Sequence, residues 1–455
     1  MRNGCRNSIE PGPAGREKES NVPAIKLCIV GGGSTYTLPM LRSLTILAES
    51  PLKGSTVVIM DKRRDAGKLM ADFARLLCRK NGFDLKIEDT TDLDKGLDGA
   101  DFALTTFRTG SHAYTGLDET VPMKYGILGQ ETTGPSGIFM AARAIPEAVK
   151  VAQTMEKCCP DAWMINYTNP TNFVCDGIRR RSGIKLIGLC DGVYAGMRLV
   201  VQLLGLPVEK PDVLDFQVAG VNHCTWALRI HHEGRDLYPE LPELVRKFDA
   251  SKLNHRYQHA LKVYGHFGVM PGSAAYTRYY YNLRAVMEER STEGFETLCD
   301  SLSHHAVHIE KELTRKLKED EGTFGENIGD LSHGDQAIGV INAIANNTME
   351  IQTVDVPNNG AVENLPLGSI VEVAAVTGAH GAYPLAMGPL PKQVYGIVRS
   401  VLDHQELAVD AALSGDKKKV MQAAMVHPVV RSLPDAEKTV EELFRVHAKW
   451  LPQFK

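Results

Sequence analysis

Ile25-Lys-Leu-Cys-Ile-Val-Gly-Gly-Gly-Ser34 is the stretch on which the fold turns. A short, apolar, β-branched run reaches Val30 and breaks at three consecutive glycines, after which a helical pattern continues to about Glu49. Strand, tight turn and helix in that order open a nucleotide-binding unit. Glycines placed after a first strand let the backbone come close to a pyrophosphate, whose charge is then held by the following helix N-terminus. A second apolar run, residues 55–60, ends at Asp61. Residues 65–80 then repeat apolar positions every three to four residues through Leu69, Phe73, Leu76 and Leu77, which completes a β-α-β unit. Asp61 is placed to accept hydrogen bonds from both ribose hydroxyls of NAD. The expected cofactor contacts are Gly31, Gly32, Gly33, Ser34, Thr35 and Asp61. Tyr36 stands where the fingerprint usually has a small residue, and Lys62, Arg63 and Arg64 leave room for the 2′-phosphate of NADP.

Further strands read at residues 101–107, 162–168 and 185–190, separated by helical or loop sequence, as in a parallel sheet covered on both faces. Beyond Cys190 the pattern changes. Strands at 214–220 and 224–231 precede His232-Glu-Gly-Arg235, a hairpin-like turn, so antiparallel structure enters there. Residues 301–318 and 393–454 carry long helical patterns. The fold expected is α/β: a Rossmann-type doubly wound parallel sheet with a second α+β lobe, as in lactate and malate dehydrogenases. Residues 1–23, rich in charge, Gly and Pro without an apolar core, read as a flexible leader. Residues 24–192 read as the NAD-binding Rossmann domain and 193–455 as a catalytic, substrate-binding and oligomerisation domain.

A chain of 455 residues is long enough for two or three domains or one large two-lobed unit. It is 43% hydrophobic and 23% charged, with no apolar run near the roughly 18 residues of a membrane span. Its net charge of -4 comes from interspersed acids and bases, which gives no basic face for a nucleic-acid backbone. Nine cysteines, several of them (Cys28, Cys78, Cys175, Cys299) in apolar stretches, point to reduced thiols and a cytoplasmic location. His304, His305 and His308 on a charged helix, the adjacent Cys158 and Cys159, and Lys417-Lys-Lys419 read as packing or solvated residues. His333 and His380 lie in glycine-containing loops that could reach a site.

Cys190 ends a strand at the edge where open α/β sheets bind ligands, and His223 follows in Gly220-Val-Asn-His-Cys224. Thiolate and imidazole bind borderline divalent metals, and two protein ligands leave open positions for substrate hydroxyls. Spacing alone does not separate such a pair from a buried thiol and a core imidazole. Ligand softness by itself favours zinc, iron or cobalt here.

Several stretches in order resemble the family 4 glycosidases: Ile29-Val-Gly-Gly-Gly-Ser-Thr-Tyr-Thr37, Pro122-Met-Lys-Tyr-Gly126 continuing to Gly129-Gln-Glu-Thr-Thr-Gly-Pro135, Asn166-Tyr-Thr-Asn-Pro170, Gly188-Leu-Cys-Asp191, Gly220-Val-Asn-His223, Tyr276-Thr-Arg-Tyr-Tyr-Tyr281 and Val356-Pro-Asn-Asn-Gly360 with Asn364-Leu-Pro366. The resemblance implies NAD at the glycine turn and a divalent ion, usually manganese (Mn2+), on Cys190 and His223. It implies Tyr276 as the base at the sugar's C2, Asp191 as the acid, and Arg108, Glu131, Asn169 and Arg278 as sugar contacts. The implied reaction oxidises C3, removes the C2 proton, eliminates the aglycone, adds water and returns the hydride, an exception to the two-carboxylate scheme of most glycosidases. Asp191 resembles the α-specific members, although Cys190-Asp-Gly-Val193 lacks the usual proline and no extra cluster of bases marks a 6-phosphate site. An α-glycoside is the implied substrate, with free, uronic and 6-phospho sugars all open, and a homodimer or homotetramer is the implied assembly. The chief rival, a 2-hydroxy-acid dehydrogenase of the lactate/malate type, needs a His-Asp relay and clamping arginines that cannot be assembled here. A non-catalytic NAD sensor would bind cofactor without needing metal.

Overall fold

The computed structural model describes residues 24–44, 52–207, 213–292, 295–324 and 335–455. The expected leader, the end of the first helix and His333 lie outside the described residues. Six strands form the first half of the sheet: β1 (Lys26–Val30), β2 (Thr56–Met60), β3 (Lys86–Thr90), β4 (Phe102–Thr105), β5 (Trp163–Asn166) and β6 (Lys185–Gly188). Their order is β3-β2-β1-β4-β5-β6, with every neighbour parallel, which is the doubly wound order of dinucleotide-binding folds. Helices cover both faces. Leu27 and Ile29 therefore enter one apolar core and Cys28 and Val30 the other, which is why β1 is a continuous apolar run instead of an alternating one. The helix read at 65–80 spans Arg64–Asn81. The first helix is described over Thr37–Arg42.

Seven more strands complete the sheet: β7 (Leu214–Val221), β8 (Cys224–His232), β9 (Arg235–Asp236), β10 (Met270–Pro271), β11 (Glu350–Pro357), β12 (Ile370–Gly378) and β13 (Gly381–Pro384). All pair antiparallel. The turn at His232–Arg235 joins β8 to β9 with Glu233 and Gly234 both left-handed, at φ +51° and +76°. The two halves share one sheet. β11 runs antiparallel to β6 through the single register pair Asp355 and Gly188, and β12 continues into β7. Glycine makes that junction possible: a Cβ at residue 188 would sit 2.5 Å from the Cys175 Sγ and 2.8 Å from the Asp355 Cβ.

The chain's last helices return to the first half. Lys392–Ser414 packs on Gly134–Cys158, while Phe295–Lys318 and Leu433–His447 both pack on Ser111–Lys124. An ion pair buried beneath them ties the layers together. Arg143 Nη1 lies 2.8 Å from Asp118 Oδ1, and His447 Nε2 lies 2.8 Å from the same oxygen. Burial opposes the Asp118 charge, but Arg143 and His447 outweigh it and hold the carboxyl below its ordinary range. The described cysteines are free thiols, and no described helix is long and apolar enough to cross a membrane.

Candidate active site

The glycine turn is wedged between β2 and the end of β4. Gly31 adopts φ +87°, and a Cβ on it would lie 2.7 Å from the Phe107 Cβ; one on Gly32 would lie 2.7 Å from the Ile59 Cγ2. Both amides donate to the Met60 carbonyl at 2.9 Å, which bends the chain sharply across the end of β2. Gly33, Ser34 and Thr35 stay partly exposed and form the face a ligand can approach. Asp61 is buried and serves the turn itself: Oδ2 accepts from the Gly33 amide at 2.9 Å and Oδ1 from the Arg63 amide at 2.7 Å. A carboxylate has about four acceptor sites, so capacity remains for ribose hydroxyls. A backbone cradle that side chains would fill, with a carboxylate at its rim, fits a dinucleotide.

Cys190 lies two residues beyond β6, and His223 occupies the two-residue turn between β7 and β8 at φ +63°. The architecture brings Cys190 Sγ within 3.5 Å of His223 Nε2. The Gly192 amide donates to the same sulfur at 3.4 Å, and the Asn222 side chain bonds to it from the turn that carries His223. Tyr276 stacks its ring on the His223 imidazole, with centroids 3.7 Å apart and planes 16° from parallel. Burial lowers the His223 pKa to about 4 against the pull of Glu131 and Asp191, and burial also pushes the Cys190 thiol well up, with Asp191 and Glu372 adding to it. Without a cation the corner thus holds a neutral imidazole and a thiol. An incoming divalent ion would displace the thiol proton, the usual exchange at such donors. Among the described residues no group of three or more His, Cys, Asp and Glu side chains could hold a metal, so a cation at this corner would have only these two side chains as protein ligands. The donor set fits a borderline divalent cation.

Arg108 follows β4 and faces this corner through Glu131: its Nη1 lies 2.7 Å from Glu131 Oε2 and 3.1 Å from Thr115 Oγ1. Burial would raise the Glu131 pKa, yet Arg108 outweighs it and keeps the carboxyl low. Tyr276 is pushed well above the ordinary phenol range by desolvation first and then by Cys190 and Asp191. Asn169 lies three residues beyond β5, where its Oδ1 accepts from Thr171 Oγ1 at 3.1 Å. Arg278, two residues after Tyr276, has its Nη1 2.6 Å from Glu289 Oε2 and 2.8 Å from His255 Nε2. His380 is exposed in the turn between β12 and β13, and His304, His305 and His308 are exposed on their helix.

Residues to which the sequence analysis gave no role also belong here. Tyr36, the misfit in the glycine fingerprint, interacts electrostatically with Glu131, Arg108, Asp191 and Cys190, and its anomalous position was the available signal. Thr132 Oγ1 lies 2.6 Å from His223 Nδ1. Behind Asn222, whose Nδ2 donates to Glu372 Oε1 at 3.0 Å, Glu372 faces Asp355 directly across β11 and β12. Burial raises both acids, Glu372 to about 7, so the pair retains a proton near neutrality.

Known proteins match most of the chain in sequence and fold. Residues 26–206 match the family model described as family 4 glycosyl hydrolase, and residues 218–430 match that of the family 4 glycosyl hydrolase C-terminal domain. A probable 6-phospho-beta-glucosidase of Bacillus subtilis is 30% identical, over 94% of this chain and 98% of that protein. A crystal structure of a 6-phospho-alpha-glucosidase from gut microorganisms, in complex with NAD and Mn2+, superposes with a TM-score of 0.83 at 24% identity, covering 95% of this chain and all of the other. Lactate dehydrogenase from Eimeria maxima shares the fold more distantly, with a TM-score of 0.53 at 14% identity over 89% of this chain and 99% of its own. The chain belongs to the family 4 glycosyl hydrolases, enzymes that cleave glycosyl bonds.

Proposed function

We propose that this enzyme hydrolyses O-glycosides of the glucose class with NAD and manganese as cofactors. The observation that carries the reading is the 3.5 Å approach of Cys190 to His223 with Tyr276 stacked on the imidazole, at the ligand-binding edge of a dinucleotide-binding sheet. When bound, NAD supplies an acceptor and store for a hydride, and the cation supplies Lewis acidity towards sugar hydroxyls. Gly31, Gly32, Gly33, Ser34, Thr35 and Asp61 hold the dinucleotide, and Cys190 and His223 hold the cation. The Tyr276 oxygen takes the proton from the sugar's C2. Its phenol is raised so far by its surroundings that the base form requires positive charge beside it. Asp191 delivers a proton to the departing glycosidic oxygen. Glu131, oriented by Arg108, accepts hydrogen bonds from sugar hydroxyls, and Asn169 and Arg278 complete the substrate contacts.

Residues 24–192 carry the NAD site and residues 193–455 complete the catalytic side, in a cytoplasmic homodimer or homotetramer. Asp191 beside the metal cysteine favours an α-glycoside, while the named relatives act on 6-phosphoglucosides of both anomers. The test is release of p-nitrophenol from α- and β-glycosides, uronides and their 6-phosphates, with manganese, NAD and reductant each omitted in turn. Cleavage that needs both manganese and NAD without net NADH is the expected result and names the sugar. Steady NADH accumulation without cleavage would place the enzyme with the 2-hydroxy-acid dehydrogenases.

A further inference from the structure

We infer that Gln130 and Thr132 fix the tautomer of His223, so that its bare Nε2 lone pair faces Cys190 before any cation arrives. The inference rests on the reading of Cys190 and His223 as a ligand pair. Gln130 Oε1 accepts the Thr132 amide hydrogen at 2.9 Å, which settles the orientation of the Gln130 side chain, because the reverse would set two donors against each other. The Thr132 hydroxyl lies 2.7 Å from the same oxygen. An amide oxygen cannot donate, so the single hydroxyl proton goes to Gln130. Thr132 Oγ1 then meets His223 Nδ1, 2.6 Å away, only as an acceptor, and Nδ1 carries the ring hydrogen. In a neutral imidazole the other nitrogen is then a free lone pair, and it is the one 3.5 Å from the Cys190 sulfur. Gln130, Thr132 and His223 are all buried, so water does not compete for these bonds. Gln130 and Thr132 are positioning residues: they act through His223.

The experiment uses the full-length chain labelled with 15N-histidine, freed of metal by chelation, and then titrated with Mn2+ alone while free Mn2+ is followed by electron paramagnetic resonance. The His223 resonances, assigned by their loss in His223→Gln, should show a protonated Nδ1 and a bare Nε2. Gln130→Met frees the Thr132 hydroxyl to donate, so the Nε2-protonated form should grow in. Thr132→Val should weaken Mn2+ binding by about 10–100-fold, as loss of an outer-sphere partner of a metal-bound histidine generally does, and Thr132→Ser should restore it. An Nε2-protonated His223 in the parent chain, or Mn2+ binding by Thr132→Val equal to the parent, would overturn the inference. Unchanged Mn2+ binding in Cys190→Ser would overturn the ligand reading instead, independently of the tautomer seen by resonance.

Discussion

At residues 31–33 the backbone is pressed so closely against Phe107, Ile59 and Ala66 that no side chain can be added, whereas at Cys190 and His223 the site consists of side chains, each held by named neighbours. One region is defined by what is missing and the other by what is present. They should therefore fail differently. Additions should damage the turn through packing and the fold, while deletions should damage the corner through chemistry at little cost to stability.

Tyr276→Phe should give the largest effect. It keeps the ring stacked on His223 but removes the oxygen, so kcat should fall by about 10²–10⁴, the range for loss of a general base, with an unchanged melting temperature. Undiminished turnover would remove Tyr276 from the chemistry. Gly31→Ala comes next, because it adds both a close contact and a left-handed strain. A loss of roughly 2–3 kcal/mol in denaturant unfolding is expected, together with weaker NAD binding by calorimetry. An alanine variant as stable as the parent would show that the turn relaxes. Glu372→Gln tests the acids behind the corner. Burial raises the pKa of Glu372 in the fold from 4.5 to about 7, so its contribution is fully present below about 4.5 and is lost as the pH rises through about 7. The glutamine variant should flatten the decline in stability over that window, an effect on the order of 1–3 kcal/mol read from melting curves at several pH values. The smallest change is Asp61→Asn, which removes the charge but not every acceptor. NAD should bind about five- to tenfold more weakly, roughly 1 kcal/mol, with kcat unchanged once NAD saturates.

The parallel half of the sheet was legible because burial on both faces makes β1, β2 and β4 apolar except for one residue at an end of each, and the glycines were legible because nothing else fits the turn. β3, Lys-Ile-Glu-Asp-Thr, was passed over: as an edge strand it carries exposed charges, and it lacks the apolar signature of its neighbours. β11 escaped for the opposite reason, since Asp355 interrupts its apolar run from a position fully buried against Glu372. The Rossmann order of the strands agrees with the sequence reading, but the second lobe's strands extend the first sheet, which no local pattern announces. The chemistry was legible mainly through resemblance. Cys190 and His223 are 33 residues apart, and Thr132 is 91 residues from His223, so only the folded sheet makes them neighbours. The buried pair of Arg143 and Asp118 illustrates the same limit: neither residue stands out in the chain, yet Asp118, held by Arg143, receives His447 of the last helix.

The narrow junction between Gly188 and Asp355 also has a mechanical meaning. Because Gly188 lets β6 and β11 meet, the hydrogen-bonded sheet runs unbroken from β6 through β11 and β12 to β7. Cys190, two residues past β6, and His223, in the turn after β7, therefore hang from one continuous piece of secondary structure, braced by the late helices that pack back on the first half. The spacing of thiol and imidazole is set by strand pairing and not by the reach of a loop.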